Sequence, residues 1–194
     1  MDLVFATNNK NKLKEIKHMI IDRINVLSIN DLNHSDDLEE TGLTLKDNAS
    51  QKARFIYKKF NKNCFADDSG LEILSLNNEP GVFSARYAGS NCSADDNMNK
   101  VLKKLESIKN RNAIFKTVIC LILDGKEYFF EGSIEGIITN EKIGHNGFGY
   151  DPIFRPNNFN LTFAQMSVKE KSKISHRAIA VSKFVKFINQ RFAS

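Results

Sequence analysis

The chain has 194 residues, of which 41% are hydrophobic and 26% are charged. This composition is typical of a soluble globular protein and too apolar for a disordered chain, and no apolar run approaches the roughly 20 residues of a transmembrane helix. Lysine plus arginine number 28 against 23 aspartates plus glutamates, and the net charge of +5 favours anionic partners. From the polar N-terminal residues we expect no signal peptide. The three cysteines are widely spaced, which predicts reduced thiols in a cytoplasmic protein.

Strands and helices alternate along most of the chain. The first half is expected to form, in chain order, strand 3–6, helix 10–23, strand 25–29, polar loop 31–42, helix 44–60, strand 63–66 and short strand 71–76. The second half is expected to form loop 77–90, helix 93–109, strands 113–123 and 127–138, glycine-rich loop 144–151 and helix 175–192. This order predicts an α/β fold with a mixed sheet, and the absence of repeats and linkers predicts a single domain over residues 1–194.

One pair of strands is predicted to form a tight hairpin. Asp124-Gly125 separates the two strands and favours a type I′ turn. Because strand 113–123 is apolar on both faces, we expect it to lie in the centre of the sheet.

The segment Thr7-Asn8-Asn9-Lys10-Asn11-Lys12 opens the first predicted helix. Backbone N–H groups and the positive end of the dipole at a helix N-terminus bind anions, and Lys10 and Lys12 add positive charge. The segment therefore predicts a phosphate site, although the same residues also fit an ordinary helix cap with solvated lysines.

Two adjacent acids, Asp67 and Asp68, follow a short apolar strand. A turn at Ser69-Gly70 is expected to bring both side chains into one cleft. Paired carboxylates can bind a hard cation such as Mg²⁺ or deprotonate water as a general base. The acidic pair Glu39-Glu40, on the polar loop, could complete the metal site. The alternatives are an Asp-rich turn and a solvated acidic loop.

Two later segments could bind a planar ligand. Glycines flank Phe148 and Tyr150, so the backbone can approach a ring closely while Phe148 stacks on it; the alternative is an aromatic anchor of the core. Lys171 and Ser175-His176-Arg177 could contact phosphate or a base, or form an ordinary basic helix start. Together these segments offer a phosphate site, carboxylates for a metal, an aromatic ring for stacking and polar side chains for a base. This combination predicts a nucleotide site with hydrolytic chemistry.

The chain resembles the inosine triphosphate pyrophosphatase family in six motifs, which occur in the family's order. They are Phe5-Ala6-Thr7-Asn8-Asn9-Lys10-Asn11-Lys12, Glu39-Glu40-Thr41-Gly42, Asp67-Asp68-Ser69-Gly70-Leu71, Pro80-Gly81-Val82-Phe83-Ser84-Ala85-Arg86-Tyr87-Ala88-Gly89, Gly147-Phe148-Gly149-Tyr150-Asp151-Pro152-Ile153-Phe154 and Ser175-His176-Arg177.

This resemblance implies an elongated mixed sheet flanked by helices, two lobes with a central substrate cleft, and a homodimer. It implies Mg²⁺-dependent hydrolysis of ITP, dITP and XTP to the monophosphate and pyrophosphate. Asp68 is implied to be the proton acceptor that activates water, and Glu40 and Asp68 to be the Mg²⁺ ligands. The residues implied to bind substrate are Thr7, Asn8, Asn9, Lys10, Asn11, Lys12, Ser69, Phe148, Gly149, Tyr150, Asp151, Lys171, His176 and Arg177.

The base can be recognised by its polar edge. Hypoxanthine and xanthine present a 6-oxygen and an N1–H, whereas adenine presents an amino group and a bare N1, so a matched site leaves adenine with unpaired groups. We predict that His176 or Arg177 donates a hydrogen bond to the 6-oxygen. We also predict that the polar side chain of Asp151 helps to recognise the nucleobase.

Three other functions stay open from the sequence. A pyrophosphatase for pyrimidine or modified nucleotides would use the same metal chemistry, and a nucleotide sensor would bind without turnover. A basic nucleic-acid-binding module would explain the net charge, but aromatic and basic residues do not alternate as such modules require. We therefore expect a small nucleotide partner, with no nucleic acid and no membrane.

Overall fold

The structure is a computed structural model that describes residues 1–20, 24–34 and 38–191. Three parts of the predicted elements lie outside these residues: the end of the first helix (21–23), part of the polar loop (35–37) and Phe192 of the last helix. In the described part of the chain, no helix is long and apolar enough to cross a membrane.

The described residues form an α/β fold. The strands are β1 (Asp2–Phe5), β2 (Asn25–Ser28), β3 (Cys64–Ile73), β4 (Glu79–Gly81), β5 (Asn112–Leu123), β6 (Lys126–Ile138) and β7 (Phe154–Pro156). The helices are α1 (Lys10–Met19), α2 (Leu45–Phe60), α3 (Ala94–Lys104), α4 (Val168–Ile174) and α5 (His176–Arg191). The predicted fold class, a mixed sheet with helices, is confirmed.

The sheet has the strand order β2-β1-β3-β5-β6-β7, with β4 paired to β3. β1 runs parallel to both β2 and β3, whereas the β3–β4 and β6–β7 pairs are antiparallel. β5 lies between β3 and β6, as its two apolar faces predicted. Asp124 and Gly125 have φ values of 50° and 76°, and these positive angles confirm the predicted type I′ turn.

The chain divides into two compact units, each with its own apolar core. The first unit comprises Met1–Asp68, Thr117–Gly132 and Arg177–Ser194. In its core, the ring of Phe65 stacks on Phe5 at 4.6 Å and contacts Phe184 at 5.1 Å, measured between ring centroids. This packing joins β1, β3 and α5, and the predicted phosphate segment 7–12 directly follows β1.

The second unit comprises Ser69–Lys116 and Ser133–His176. Its core is also aromatic, because the ring of Phe154 contacts Phe115 at 4.8 Å and Phe163 at 5.2 Å. The predicted aromatic loop lies in this unit.

Several predicted boundaries are wrong. The predicted strands 63–66 and 71–76 form one continuous strand, β3, with no turn at Ser69-Gly70. β3 is buried on both faces, and this packing outweighs the turn tendency of its polar residues. The sequence also did not predict β4, β7 and α4, and the predicted third helix continues beyond the observed end of α3 at Lys104. The signal for α4 is a capping box, in which Ser167 and Glu170 exchange hydrogen bonds at the helix start.

Candidate active site

Asp67 and Asp68 lie next to each other on the continuous strand β3. Successive side chains of a strand point to opposite faces, so the expectation that both carboxylates enter one cleft through a turn is wrong. Each carboxylate has different side-chain partners, and all of these partners belong to the first unit. The two acids therefore have separate environments and separate roles.

The Asp67 carboxylate is fully buried between two cations. Lys12 Nζ lies 3.1 Å from Asp67 Oδ1, and Arg177 Nε donates to Asp67 Oδ2 at 3.2 Å. Arg177 also pairs with Glu15, at 2.5 Å from Nη1 to Oε2. Burial raises the pKa of Asp67, but Lys12 and Arg177 outweigh burial and hold that pKa well below its ordinary value. Asp67 is therefore an ionised anchor that holds Lys12 in place.

The Asp68 carboxylate is held by an amide and by a more distant ammonium. Asn48 Nδ2 donates to Asp68 Oδ2 at 3.0 Å, and Lys52 Nζ lies 3.9 Å from Asp68 Oδ1. Burial raises the pKa of Asp68, and the opposing attraction of Lys52 and Lys12 does not cancel this rise. A carboxylate with a raised pKa is a stronger proton acceptor, which is the property that a general base needs.

Lys52, on α2, is a site residue that the sequence analysis missed. Its ammonium lies 2.5 Å from Glu40 Oε1, donates to the Asp67 carbonyl oxygen at 2.8 Å and lies near Asp68. Burial lowers the pKa of Lys52, but the carboxylates of Asp68 and Glu40 outweigh burial, so the net direction is upward. The available signal was a lysine on the helix face that also carries the apolar residues Ala49, Ala53 and Ile56.

The predicted phosphate segment forms the expected cap of α1. Asn9 is the N-cap, and its Oδ1 accepts hydrogen bonds from the backbone N–H groups of Asn11 at 3.0 Å and Lys12 at 3.1 Å. Thr7 Oγ1 accepts from the Asn9 N–H at 3.1 Å. The chain from Asn8 to Asn11 is exposed, including Lys10, whereas Lys12 turns inward to Asp67. This places two differently exposed lysines at one helix start.

The predicted aromatic loop is organised by Asp151. Asp151 Oδ2 accepts hydrogen bonds from the Phe148 backbone N–H at 2.8 Å and from Lys171 Nζ at 2.7 Å. A Cβ atom at Gly147 would lie 2.0 Å from this oxygen, so only glycine fits there. Gly149 also has a positive φ, of 64°. The structure thus brings Phe148, Asp151 and Lys171 together, as predicted for one ligand site.

Lys171, on α4, also faces aromatic rings. Its Nζ lies 5.0 Å from the centroid of the Phe148 ring and 5.6 Å from that of Phe163, within the range of a cation–π contact. The cation therefore holds the Phe148 side chain as well as the Asp151 carboxylate.

The remaining predicted residues have other surroundings. His176 stacks on Phe115, with ring centroids 4.4 Å apart and planes 4° apart. The Tyr150 hydroxyl donates to the Ser84 carbonyl oxygen at 2.8 Å, and burial raises the pKa of that hydroxyl. Ser69 lies on β3 and is half-buried. Arg177 is 2% exposed and belongs to the Asp67 cluster, so its role in reading a base stays a prediction.

Comparison with known proteins identifies the family. The model of the Ham1 family matches residues 3–187. The chain belongs to the Ham1 family. A relative from Flavobacterium johnsoniae, named dITP/XTP pyrophosphatase, is 54% identical over 185 residues, which cover 95% of this chain and 96% of the relative. A relative from Porphyromonas gingivalis with the same name is 46% identical, with 96% of each chain covered.

Solved structures of the Ham1 family have the same fold. The Staphylococcus aureus Ham1 protein matches with a TM-score of 0.90 and 41% identity, covering 98% of this chain and all of that one. The Coxiella burnetii Ham1 protein also matches with a TM-score of 0.90, at 38% identity, covering 98% of this chain and 99% of that one. The predicted family resemblance is therefore confirmed over nearly the full length.

Proposed function

We propose that this Ham1-family protein hydrolyses non-standard purine nucleoside triphosphates (ITP, dITP and XTP) to the monophosphate and pyrophosphate. The names of the Flavobacterium and Porphyromonas relatives, dITP/XTP pyrophosphatase, support this substrate class. The observation that carries the chemistry is the convergence of Glu40 and Asp68 on the ammonium of Lys52, beside the buried end of Lys12. Carboxylates of this kind can hold a cation and activate water, while the lysines can hold phosphate.

The donor set fits Mg²⁺. Glu40 and Asp68 approach one positive charge, which indicates that both carboxylates can face one cation, and carboxylate oxygens are the ligands that Mg²⁺ prefers. Among residues 1–20, 24–34 and 38–191, no cluster of three or more His, Cys, Asp or Glu residues could hold a metal ion. Two carboxylates with substrate phosphates and water are a usual Mg²⁺ shell. We therefore propose Glu40 and Asp68 as the metal ligands.

The proposed reaction is a single hydrolytic displacement. Asp68 accepts a proton from water, the water oxygen bonds to the α-phosphorus, and the bond from that phosphorus to the bridging oxygen breaks to release pyrophosphate. Lys10, Lys12 and the N-terminus of α1 hold the departing phosphates. Mg²⁺ held by Glu40 and Asp68 would supply positive charge that stabilises the phosphate oxygens. Loss of the general base alone lowers the rate by about 10²- to 10⁴-fold in comparable sites.

We propose that the loop around Phe148 holds the purine. Phe148 offers a ring face for stacking, and Asp151 and Lys171 offer polar atoms beside it. We propose that Gly149, Tyr150 and His176 complete this base site and that Arg177 and Ser69 also contact substrate. We further propose that residues 1–194 act as one catalytic domain in a cytoplasmic homodimer.

A substrate panel tests the proposal. Pyrophosphate release is measured from dITP, XTP and ITP and from dATP, dGTP, dTTP and UTP, each with and without Mg²⁺. The expected result is Mg²⁺-dependent release that is fastest for the first three substrates. Equal release from dTTP or UTP would favour a broader pyrophosphatase. Binding of ITP without turnover would favour a sensor, and salt-sensitive binding of DNA or RNA without turnover would favour a nucleic-acid-binding module.

A further inference from the structure

Asn48, on α2, makes two hydrogen bonds that link separate parts of the site. Its side chain is fully buried. Its Oδ1 accepts from the Gly42 backbone N–H at 2.7 Å, and its Nδ2 donates to Asp68 Oδ2 at 3.0 Å. A backbone N–H can only donate and an ionised carboxylate can only accept, so the carboxamide can satisfy both partners in this one orientation.

Lys52 follows Asn48 by one helical turn and faces the other oxygen of the same carboxylate. Asn48 binds Asp68 Oδ2, whereas Lys52 Nζ lies 3.9 Å from Asp68 Oδ1. Residues four apart lie on the same face of a helix, so α2 contacts both oxygens from consecutive turns. The rotation of the Asp68 carboxylate is therefore set by α2.

The same helix holds the loop that carries Glu40. Three successive residues of the loop each bind a different α2 side chain: Glu40 binds Lys52, Thr41 binds Gln51 and Gly42 binds Asn48. A Cβ atom at Gly42 would lie 2.8 Å from Asn48 Oδ1, so the loop backbone approaches this carboxamide closely. Of these three α2 side chains, Asn48 is the one that joins the loop backbone to Asp68.

We infer that Asn48 is a positioning residue for the proposed reaction: it holds Asp68 Oδ2 and thereby directs Oδ1 toward the attacking water. This inference rests on the proposed function of Asp68 as the base. Asn48 contacts the general base, Asp68, through its amide and takes no part in the proton transfer. Misplacement of a reacting group by about 1 Å can cost about 10²-fold in rate, so loss of this contact is expected to lower kcat.

The test uses two substitutions that separate the hydrogen bonds. Asn48→Asp keeps an acceptor for the Gly42 N–H and removes the donor to Asp68, whereas Asn48→Leu removes both. With dITP and Mg²⁺, both variants are expected to lower kcat by about 10²-fold while KM stays within about threefold of wild type. Affinity for the product inosine monophosphate, measured by titration calorimetry, is expected to stay within the same range.

Asn97 provides the matched control, because it is also a buried asparagine whose carboxamide donates one hydrogen bond to a backbone group and accepts another from a backbone group. Its Nδ2 donates to the Ala85 carbonyl oxygen at 3.1 Å, and its Oδ1 accepts from the Ala88 N–H at 2.7 Å. Asn97→Asp is expected to lower thermal stability as Asn48→Asp does, with kcat per folded molecule within about threefold of wild type. Gln51→Leu, which releases only Thr41, is expected to keep kcat in the same range.

Three results would overturn the inference. The first is a wild-type kcat in folded Asn48→Asp. The second is a change in KM with no change in kcat. The third is a fall in kcat in Gln51→Leu equal to that in Asn48→Asp. If wild type itself shows no Mg²⁺-dependent release of pyrophosphate from dITP, the proposed function fails as well. If wild type is active and the Asn48 variants have the same kcat as wild type, only the positioning role is rejected.

Discussion

Lys52 Nζ lies 2.5 Å from Glu40 Oε1, so one buried ammonium joins the acidic loop to the strand that carries Asp68. Lys52→Met removes this charge and leaves carboxylates without their shared counter-ion, which disfavours their ionised forms. We expect kcat/KM for dITP to fall by at least about 10²-fold, the scale measured when one electrostatic contact of a catalytic site is removed. Lys58→Met, an exposed change on the same helix, is the control and is expected to retain activity. Wild-type kcat/KM in Lys52→Met would remove Lys52 from the catalytic site.

Asp68→Asn tests the assignment of the general base. The amide has nearly the same shape as the carboxylate but cannot accept the proton of water, so the change removes a role that exists in the transition state. We expect kcat for dITP to fall by at least about 10²-fold, while affinity for inosine monophosphate stays within about tenfold. Asp95→Asn, at an exposed surface pair with Lys142, is the isosteric control. A kcat for Asp68→Asn close to that of wild type would refute the assignment.

Glu40→Gln tests the second proposed metal ligand. The amide keeps a hydrogen-bonding oxygen for Lys52 but loses the negative charge that attracts Mg²⁺. We expect the Mg²⁺ concentration for half-maximal activity to rise, while maximal activity at saturating Mg²⁺ falls less. The measurement is a Mg²⁺ titration at fixed dITP, with Glu39→Gln on the same loop as control. An unchanged midpoint would exclude Glu40 as a ligand.

Much of the fold could be predicted because local patterns agree with the tertiary structure. The apolar run of β5 predicted a central strand, and Asp124-Gly125 predicted the turn that follows it. The reading failed at β3, where Asp67-Asp68-Ser69-Gly70 has the composition of a turn. Burial on both faces keeps this segment extended, and the β3 residues on either side of it pair with β1 and β4. Neither the burial nor the pairing is visible in a local window of sequence.

The candidate site was predicted only in part, for a related reason. The sequence singled out Asp68 at the end of a predicted strand, Lys12 at the start of a predicted helix and Glu40 on an acidic loop. In the structure Asp68 lies within the continuous strand β3. Asn48 and Lys52 escaped notice because polar side chains within a helix are usually exposed. Their burial depends on charges from another strand and loop, which are brought together only by the tertiary fold.

Asp67→Asn is expected to destabilise the protein. The change leaves Arg177 and Lys12 in a buried site without the carboxylate that neutralises them, and breaking a buried ion pair by removing one partner typically costs about 3–5 kcal/mol. We expect the urea midpoint of unfolding to fall, measured without nucleotide. Asp2→Asn, at the exposed start of β1, is the control. A midpoint equal to that of wild type would mean that Asp67 does not anchor the cluster.

The buried thiols predict a loss of stability in alkali. Burial raises the pKa of Cys64 and of Cys120 to about 12 from an ordinary value near 9. The unfolded chain therefore releases these protons first, so their contribution to stability is complete below about pH 9 and declines as the pH rises toward 12. We expect the free energy of unfolding to fall over this interval, and to fall less in Cys64→Ala/Cys120→Ala.

In the native protein at pH 8, a thiol reagent is expected to modify half-buried Cys92 while Cys64 and Cys120 react only after unfolding. Rapid modification of Cys64 or Cys120 in the native state would contradict their burial.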